Sequence, residues 1–224
     1  MGRDNQPKER QRRQLERKLN RRASYDRILI VCEGTKTEPH YFREIRSTYR
    51  LHTANVQVMP CETGTAPIQV VTYAHDLFVA GDPHKRILAR AFEKVYAVFD
   101  RDDHKSYFQA LDRAQAWDGK LRNDLRKPIQ FQAIASIPCF ELWLLLHFED
   151  IKAPIDRDEV IARLKRYIRH YDKGLNDAFA LTADNLTAAL HRAEQLEEVN
   201  NAYKDPMPYT GIAELVRLMT EMKS

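Results

Sequence analysis

The most constraining feature of the sequence is an apolar run that ends abruptly in an acid and a glycine. Residues 28–32 read Ile-Leu-Ile-Val-Cys, and Glu33 and Gly34 follow directly. A continuous apolar run of this length is typical of a strand that is buried on both faces of a parallel sheet. Gly34 permits a sharp exit from such a strand. Ligands of open α/β sheets bind at the carboxyl ends of the strands, so Glu33 lies where a functional site is expected.

The pattern up to residue 150 alternates between strand and helix signals. Strands are predicted at residues 28–32, 56–59, 95–99 and 129–135, and amphipathic helices follow them, including a short one at 87–92 and a buried one from Pro138 to His147. After residue 156 the pattern predicts three amphipathic helices and no strand. The chain is therefore predicted to be an α/β protein of three layers, with a mostly parallel central sheet, right-handed crossovers and a helical C-terminal part.

The basic character of the chain is concentrated at its N-terminus. Residues 1–27 contain ten Lys or Arg against four Asp or Glu, whereas the rest of the chain contains 26 against 28. We predict a basic, disordered or frayed tail at residues 1–26, an α/β domain at 27–150, and C-terminal helices at 151–224 packed on the same core. The tail is either an arm that binds nucleic acid or a solvating extension, and composition favours neither interpretation.

The cysteines and the apolar segments indicate a cytoplasmic protein. Cys32, Cys61 and Cys139 lie in or beside apolar segments without Cys-x-x-Cys spacing, which predicts buried free thiols in a reducing compartment. The N-terminus is too charged for a secretory signal, and the longest apolar run is far shorter than the ~20 residues that span a bilayer. We expect no contact with a membrane.

Acids follow two of the predicted strands. Asp100 and Asp102 come directly after the strand at 95–99, as Glu33 does after the first strand. Adjacent parallel strands place their carboxyl ends at one edge of a sheet, so the three acids can converge, and the spacing of the aspartates suits joint binding of Mg²⁺, for which Mn²⁺ can substitute. Such a site predicts phosphoryl transfer or phosphodiester hydrolysis. The alternative is that these acids are ordinary loop residues without a catalytic role.

Three further charged residues are candidates near this edge. Glu141 begins the helix after the fourth strand, where we expect a partly exposed acid that is either a further metal ligand or a favourable charge at a helix N-terminus. Lys36 and Arg101 flank the acids. These two cations either bind substrate phosphate or pair with the neighbouring acids at the surface.

The acid motifs together resemble a known domain. Cys32-Glu33-Gly34 and Asp100-Arg101-Asp102 are similar to the TOPRIM domain of topoisomerases, primases and old-family nucleases. The closer resemblance is to the RloB family, which is linked to restriction and abortive-infection loci. Its features recur in Val31–Phe42, Phe99–Asp102, Ser136–Phe148, Tyr171–Lys173 and Pro208–Thr210. One departure is Ile137, which stands where the family pattern leads us to expect Asn, so a polar role at that position is in doubt.

This resemblance implies roles for the candidate residues. In TOPRIM enzymes the glutamate performs acid/base work and the aspartates bind metal, which assigns these roles to Glu33, Asp100 and Asp102. It also adds Lys173 as a substrate-binding residue. The implied function is a magnesium-dependent nuclease that acts on DNA or RNA in defence against phage, with a restriction or defence-system protein as a partner.

Two other functions follow from the same resemblance. The first is a TOPRIM-derived regulatory module that binds nucleic acid or a partner without cutting. The second is nucleotidyl transfer or strand passage, as in primases and topoisomerases. This second function is disfavoured because the chain lacks zinc-binding cysteine motifs and has little room for additional domains.

Overall fold

A computed structural model describes residues 26–101, 104–172, 174–205 and 207–222. Among these residues five strands form one sheet in the order β2-β1-β3-β4-β5. The first four strands are parallel, and β5 is antiparallel to β4. The strands are β1 Ile28–Cys32, β2 Val56–Pro60, β3 Lys94–Asp100, β4 Gln130–Ile137 and β5 Tyr209–Thr210.

Helices cover both faces of the sheet. In chain order they are α1 Thr37–Thr48, α2 Pro67–Ala80, α3 Tyr107–Trp117, α4 Glu141–Leu145, α5 Arg157–Tyr167, α6 Ala178–Thr182, α7 Leu186–Val199 and α8 Ile212–Glu221, with a 3₁₀ turn at Ala183–Asn185. Helices α2 and α3 pack on one face, and α1 with the C-terminal helices packs on the other. This arrangement confirms the predicted α/β fold of three layers with a mostly parallel sheet. No helix among the described residues is long and apolar enough to cross a membrane.

The first strand supplies side chains to both apolar clusters. Ile28, Ile30 and Cys32 pack with α1 and the C-terminal helices, whereas Leu29 and Val31 pack with α2 and α3. All of these side chains are fully buried. A strand between two helical layers has no wetted face, which explains why the run is apolar at every position rather than at alternate positions.

The segment before residue 148 is buried as predicted, but its regular helix is short. Helix α4 covers Glu141–Leu145 only, and His147 and Phe148 continue it with bonds from their amides to carbonyls three residues earlier. Trp143 is fully buried, and its indole nitrogen donates a hydrogen bond of 2.8 Å to the hydroxyl of Tyr41 on α1. The helix therefore fastens α1 into the core.

The predicted helix at residues 87–92 is wrong. The segment forms turns, with an isolated bridge between Asp82 and Ile87, and Arg86 and Arg90 have positive φ angles of 58° and 55°. The side chain of Asp82 accepts hydrogen bonds from two following backbone amides, which favours a turn over a helix. Ile87 still packs in the core, so the apolar spacing reported burial and not helical structure.

The prediction of no strand after residue 156 is wrong, and one short C-terminal helix was also not predicted. Strand β5 pairs Tyr209 and Thr210 with the end of β4, and helix α6 precedes α7. Each is too short to show a period in the sequence. The apolar residues of the C-terminal helices share one cluster with those of β1 and α1. The division into domains stays a prediction, and the tail at residues 1–25 lies outside the described residues.

The buried His147 makes the stability of the fold depend on pH. Its Nδ1 donates to the carbonyl of Trp143 at 3.0 Å, and in the described part of the chain no group pairs with its Nε2. Burial lowers the pKa of His147 from 6.5 to about 4. The imidazole of His147 therefore binds a proton more tightly in the unfolded chain than in the folded protein. As pH falls from 6.5 towards 4, this difference lowers the free energy of unfolding.

We predict that this contribution is about 3 kcal/mol across that pH range. Denaturant unfolding of the parent and of His147→Gln at several pH values measures it, because the difference in unfolding free energy between the two should change with pH. His191→Gln, at an exposed position on α7, is the control and should follow the parent. A pH-independent difference between the parent and His147→Gln would refute the prediction.

Candidate active site

The register of the sheet brings Glu33 and Asp100 together. Strands β1 and β3 are adjacent and parallel, with Cys32 opposite Val98. The amide of Glu33 continues this ladder by donating to the carbonyl of Val98 at 2.8 Å. The Oε2 atom of Glu33 then accepts a hydrogen bond of 3.0 Å from the amide of Asp100. The two acids therefore lie at one sheet edge, as the strand ends predicted.

Glu141 reaches the same edge from the next strand. Asp100 is opposite Ser136 on β4, and the chain after β4 leads directly to Glu141 at the start of α4. The prediction of a partly exposed acid is wrong, because only 3% of Glu141 is exposed. Its Oε1 accepts a hydrogen bond of 2.8 Å from the hydroxyl of Tyr171, which is also buried. Packing of the segment around Tyr171 over α4 removes Glu141 from water.

A fourth acid, Glu38, was missed by the sequence reasoning. It lies in the first turn of α1 and is only 8% exposed. A Cβ atom on Gly34 would stand 2.7 Å from the Oε2 of Glu38, so the end of the Glu38 side chain lies close to the backbone of this glycine. Gly34 does not have a positive φ. The sequence contained one signal for Glu38. The connection from β1 to α1 is short, so the first turn of α1 must lie at the sheet edge that Glu33 occupies.

Arg157 is the cation that pairs with Asp100, and it was also missed. Its Nη2 atom lies 3.0 Å from the Oδ2 of Asp100. Arg157 is the first residue of α5, where the helix dipole disfavours a positive charge. The neighbouring acids offset that repulsion. The sequence gives no signal for Arg157, because an arginine after the capping residue Asp156 resembles any solvated charge.

The carboxylates around Asp100 repel one another. Burial raises the pKa of Asp100 well above its ordinary value, and the charges of Glu38, Glu141 and Glu33 raise it further, while Arg157 opposes them. The same surroundings act on the thiol of Cys139, whose pKa is raised by burial and then by Glu141 and Asp100. Such a concentration of negative charge attracts a further cation.

The acids and Arg157 lie in one cleft of about 290 Å³. Its lining is Glu33, Gly34, Thr35, Lys36, Thr37, Glu38, Thr65, Asp100, Glu141 and Arg157. In the described ranges no three His, Cys, Asp or Glu side chains are arranged as a ready-made metal site. The donor chemistry nevertheless suits Mg²⁺, which binds through one or two carboxylates and retains several waters.

The predicted substrate-binding residues are not all near the cleft. Lys36 is exposed at its mouth, next to the start of α1. Arg101 pairs with Asp205 at 3.0 Å, and its guanidinium lies 4.8 Å from the centre of the Tyr107 ring, outside the cleft lining. Asp102 and Lys173 lie outside the described residues. The substrate-binding and catalytic roles of these residues stay predictions.

A family comparison agrees with the resemblance seen in the sequence. The family model described as RloB-like protein matches residues 28–219. The chain belongs to the RloB-like family. The match extends from β1 into α8 and includes every residue of the cleft lining. Neither the comparison with curated proteins nor that with solved structures found a match.

The departure at Ile137 lies outside the cleft of this RloB-like chain. Ile137 is the last residue of β4, is 2% exposed, and pairs with Tyr209 of β5. An apolar side chain suits this buried position.

We predict that Tyr171→Phe destabilises the protein by about 1–3 kcal/mol, because buried Glu141 loses a hydrogen-bond donor. Denaturant unfolding measures the change. Tyr203→Phe is the matched control, since its hydroxyl bonds to Asp112 at the surface and should matter little. Combining Tyr171→Phe with Glu141→Gln should recover part of the loss, because the buried acceptor is then uncharged. An unfolding free energy of Tyr171→Phe equal to that of the parent would contradict this account of Glu141.

Proposed function

We propose that this RloB-like protein is a magnesium-dependent nuclease of TOPRIM type that hydrolyses phosphodiester bonds in defence against phage. The observation that carries the proposal is the convergence of Glu33, Asp100 and Glu141 on one cleft from three separate parts of the chain. The assignment to phage defence rests on the resemblance to a family linked to restriction and abortive-infection loci. A restriction or defence-system protein is the proposed partner.

The residues that would hold Mg²⁺ are Asp100 and, as a predicted ligand, Asp102, with Glu33 and Glu141 beside the ion. When bound, the ion would stabilise the negative charge that develops on the phosphate. Burial and then the crowding of acids raise the pKa of Asp100, and the crowding supports this assignment because a bound cation relieves the repulsion between the acids.

Glu33 is the proposed proton acceptor. Its carboxylate is oriented by the amide of Asp100, and an oriented carboxylate can take a proton from an attacking water. Lys36, exposed at the mouth of the cleft, is the proposed contact for a substrate phosphate. Arg157 lies on the same cleft and would neutralise charge beside Asp100.

A non-catalytic binding module is the second candidate. The observation in its favour is that Asp100 and Glu141 already have protein partners, Arg157 and Tyr171. Acids whose oxygens are paired in this way can be structural. A cleavage assay with Mg²⁺ on single- and double-stranded DNA and RNA separates the two functions, because the module would bind without cutting.

We expect Asp100→Asn and Asp102→Asn to abolish cleavage and to weaken Mg²⁺ binding, because each removes a charged ligand. Glu33→Gln should also abolish cleavage but retain most of the Mg²⁺ binding, because its main role is proton transfer. Calorimetric titration and the cleavage assay, run on the same preparations, test both statements. Asp184→Asn and Glu198→Gln change exposed acids on α7 and the turn before it, and these controls should match the parent.

Stability without metal gives a further readout. Neutralising Asp100 removes a repelled charge, so the thermal midpoint of Asp100→Asn should be equal to or higher than that of the parent, and Mg²⁺ should raise it less. If the acid variants alter neither Mg²⁺ affinity nor cleavage, the convergence of the acids is structural. The binding module would then be the better account.

A further inference from the structure

Two exposed aromatic rings lie side by side outside the acid cleft. Phe108 is 41% exposed and Tyr203 is 50% exposed. Their ring centres are 6.1 Å apart and their planes differ by 17°, so the rings are stacked. Large aromatic side chains are usually covered by other parts of a protein, and an exposed pair with parallel faces is a surface on which a further flat group can stack.

The pair lies at the same edge of the sheet as the acids. Phe108 is in the first turn of α3, which follows the end of β3. Tyr203 is in the connection from α7 to β5, and β5 pairs with the last residues of β4. Asp100 and Arg101 are consecutive, and the guanidinium of Arg101 is 5.5 Å from the centre of the Phe108 ring. Arg101, which follows Asp100 of the cleft in the chain, therefore contacts the aromatic pair.

The rings are held in position by surrounding hydrogen bonds. The hydroxyl of Tyr203 donates to Asp112 at 3.0 Å, and its amide donates to the side chain of Asn201 at 2.9 Å. The hydroxyl of Tyr107, beside Phe108, donates to the carbonyl of Ala202 at 2.9 Å. Little conformational entropy would be lost when a ligand stacks on a surface that is already formed.

Cationic side chains flank the two rings in the chain. Lys105 and Lys204 are exposed and close in sequence to Phe108 and Tyr203. Asp205 pairs with Arg101, whereas Asp112 accepts a hydrogen bond from Tyr203 and keeps its negative charge. Aromatic faces combined with neighbouring cations are the combination that binds single-stranded nucleic acid, since bases stack on the rings and phosphates contact the cations.

We propose that Phe108 and Tyr203 form a stacking platform for an unpaired base of a single-stranded nucleic acid whose backbone runs on to the acid cleft. This proposal rests on the proposed nuclease function and names its substrate class. In a duplex the faces of the bases are covered by their neighbours, so the platform selects single strands by shape and not by sequence.

The test is equilibrium binding of the full chain to fluorescent oligonucleotides in EDTA, so that binding is measured without cleavage. A single strand of mixed sequence, as DNA and as RNA, is compared with its duplex by anisotropy. The parent should prefer the single strand. Phe108→Leu and Tyr203→Leu should each weaken single-strand binding by about tenfold, the loss expected for one stacked base, and leave duplex binding unchanged.

Two controls separate stacking from folding and from hydrogen bonding. Tyr203→Phe keeps the ring but loses the bond to Asp112, and it should retain most of the single-strand binding that Tyr203→Leu loses. Tyr167→Leu removes another exposed ring, at the end of α5, whose centre lies 4.7 Å from that of the Phe148 ring. This variant should bind like the parent. Thermal midpoints of all variants establish that the leucine variants are folded.

If folded Phe108→Leu and Tyr203→Leu bind the single strand as tightly as the parent does, the platform proposal is wrong. A parent that prefers the duplex, or a loss in Tyr167→Leu equal to that in Tyr203→Leu, would also overturn it. The cleavage assay with Mg²⁺ decides the nuclease function separately. Stacking without cleavage would leave a single-strand binding module, whereas cleavage by variants that bind normally would retain the nuclease and remove the platform.

Discussion

The repulsion between buried carboxylates around Asp100 is the constraint on which the rest of the site depends. Asp100 ends a central strand and lies within the electrostatic reach of Glu33, Glu38 and Glu141. Carboxylates taken out of water and placed together destabilise a fold unless they are hydrogen-bonded, paired or neutralised. The protein uses a backbone amide for Glu33, a tyrosine hydroxyl for Glu141 and an arginine for Asp100.

These compensating contacts come from distant parts of the chain and draw its elements together. Arg157 places the start of α5 against the end of β3. Tyr171 connects the segment after α5 to α4, and the amide of Gly174 donates to Thr37 at the start of α1 at 3.1 Å. The acids are therefore held in position, because the strands before them are mostly buried and the helices after them are fixed by polar contacts. Rigid positioning of charged groups is what metal-assisted chemistry requires.

The sequence predicts the parts of this site that follow directly from strands. Glu33 and Asp100 could be placed because apolar runs mark the strands before them, and parallel neighbours share an edge. Glu141 could be placed for the same reason, but its burial could not, because burial comes from packing of Tyr171 from another part of the chain. Glu38 and Arg157 depend on how a loop returns and where a later helix begins. Residue patterns do not encode where a loop or a later helix lies in space. In the same way, the apolar spacing at 87–92 indicated burial but did not indicate turns.

The protein has a second cleft lined by acids, at the opposite end of the sheet, with a volume of about 400 Å³. Its acids are Glu194, Glu197, Glu214 and Glu221, and they are interspersed with Lys94 and Arg217. Acidity alone therefore does not distinguish the proposed metal site from this cleft. What distinguishes it is the convergence of acids at the ends of adjacent buried strands.

The most direct test is a titration of the isotope-labelled full chain with substoichiometric Mn²⁺, followed by NMR. A paramagnetic ion broadens the signals of the amides nearest to it. If the acids at the carboxyl edge form the metal site, the amides of Glu33, Asp100 and Glu141 should broaden first, and excess Mg²⁺ should restore them. Broadening that begins at Glu194, Glu197 and Glu214, or that shows no preferred site, would contradict the central claim that Asp100 and its neighbours bind a divalent cation.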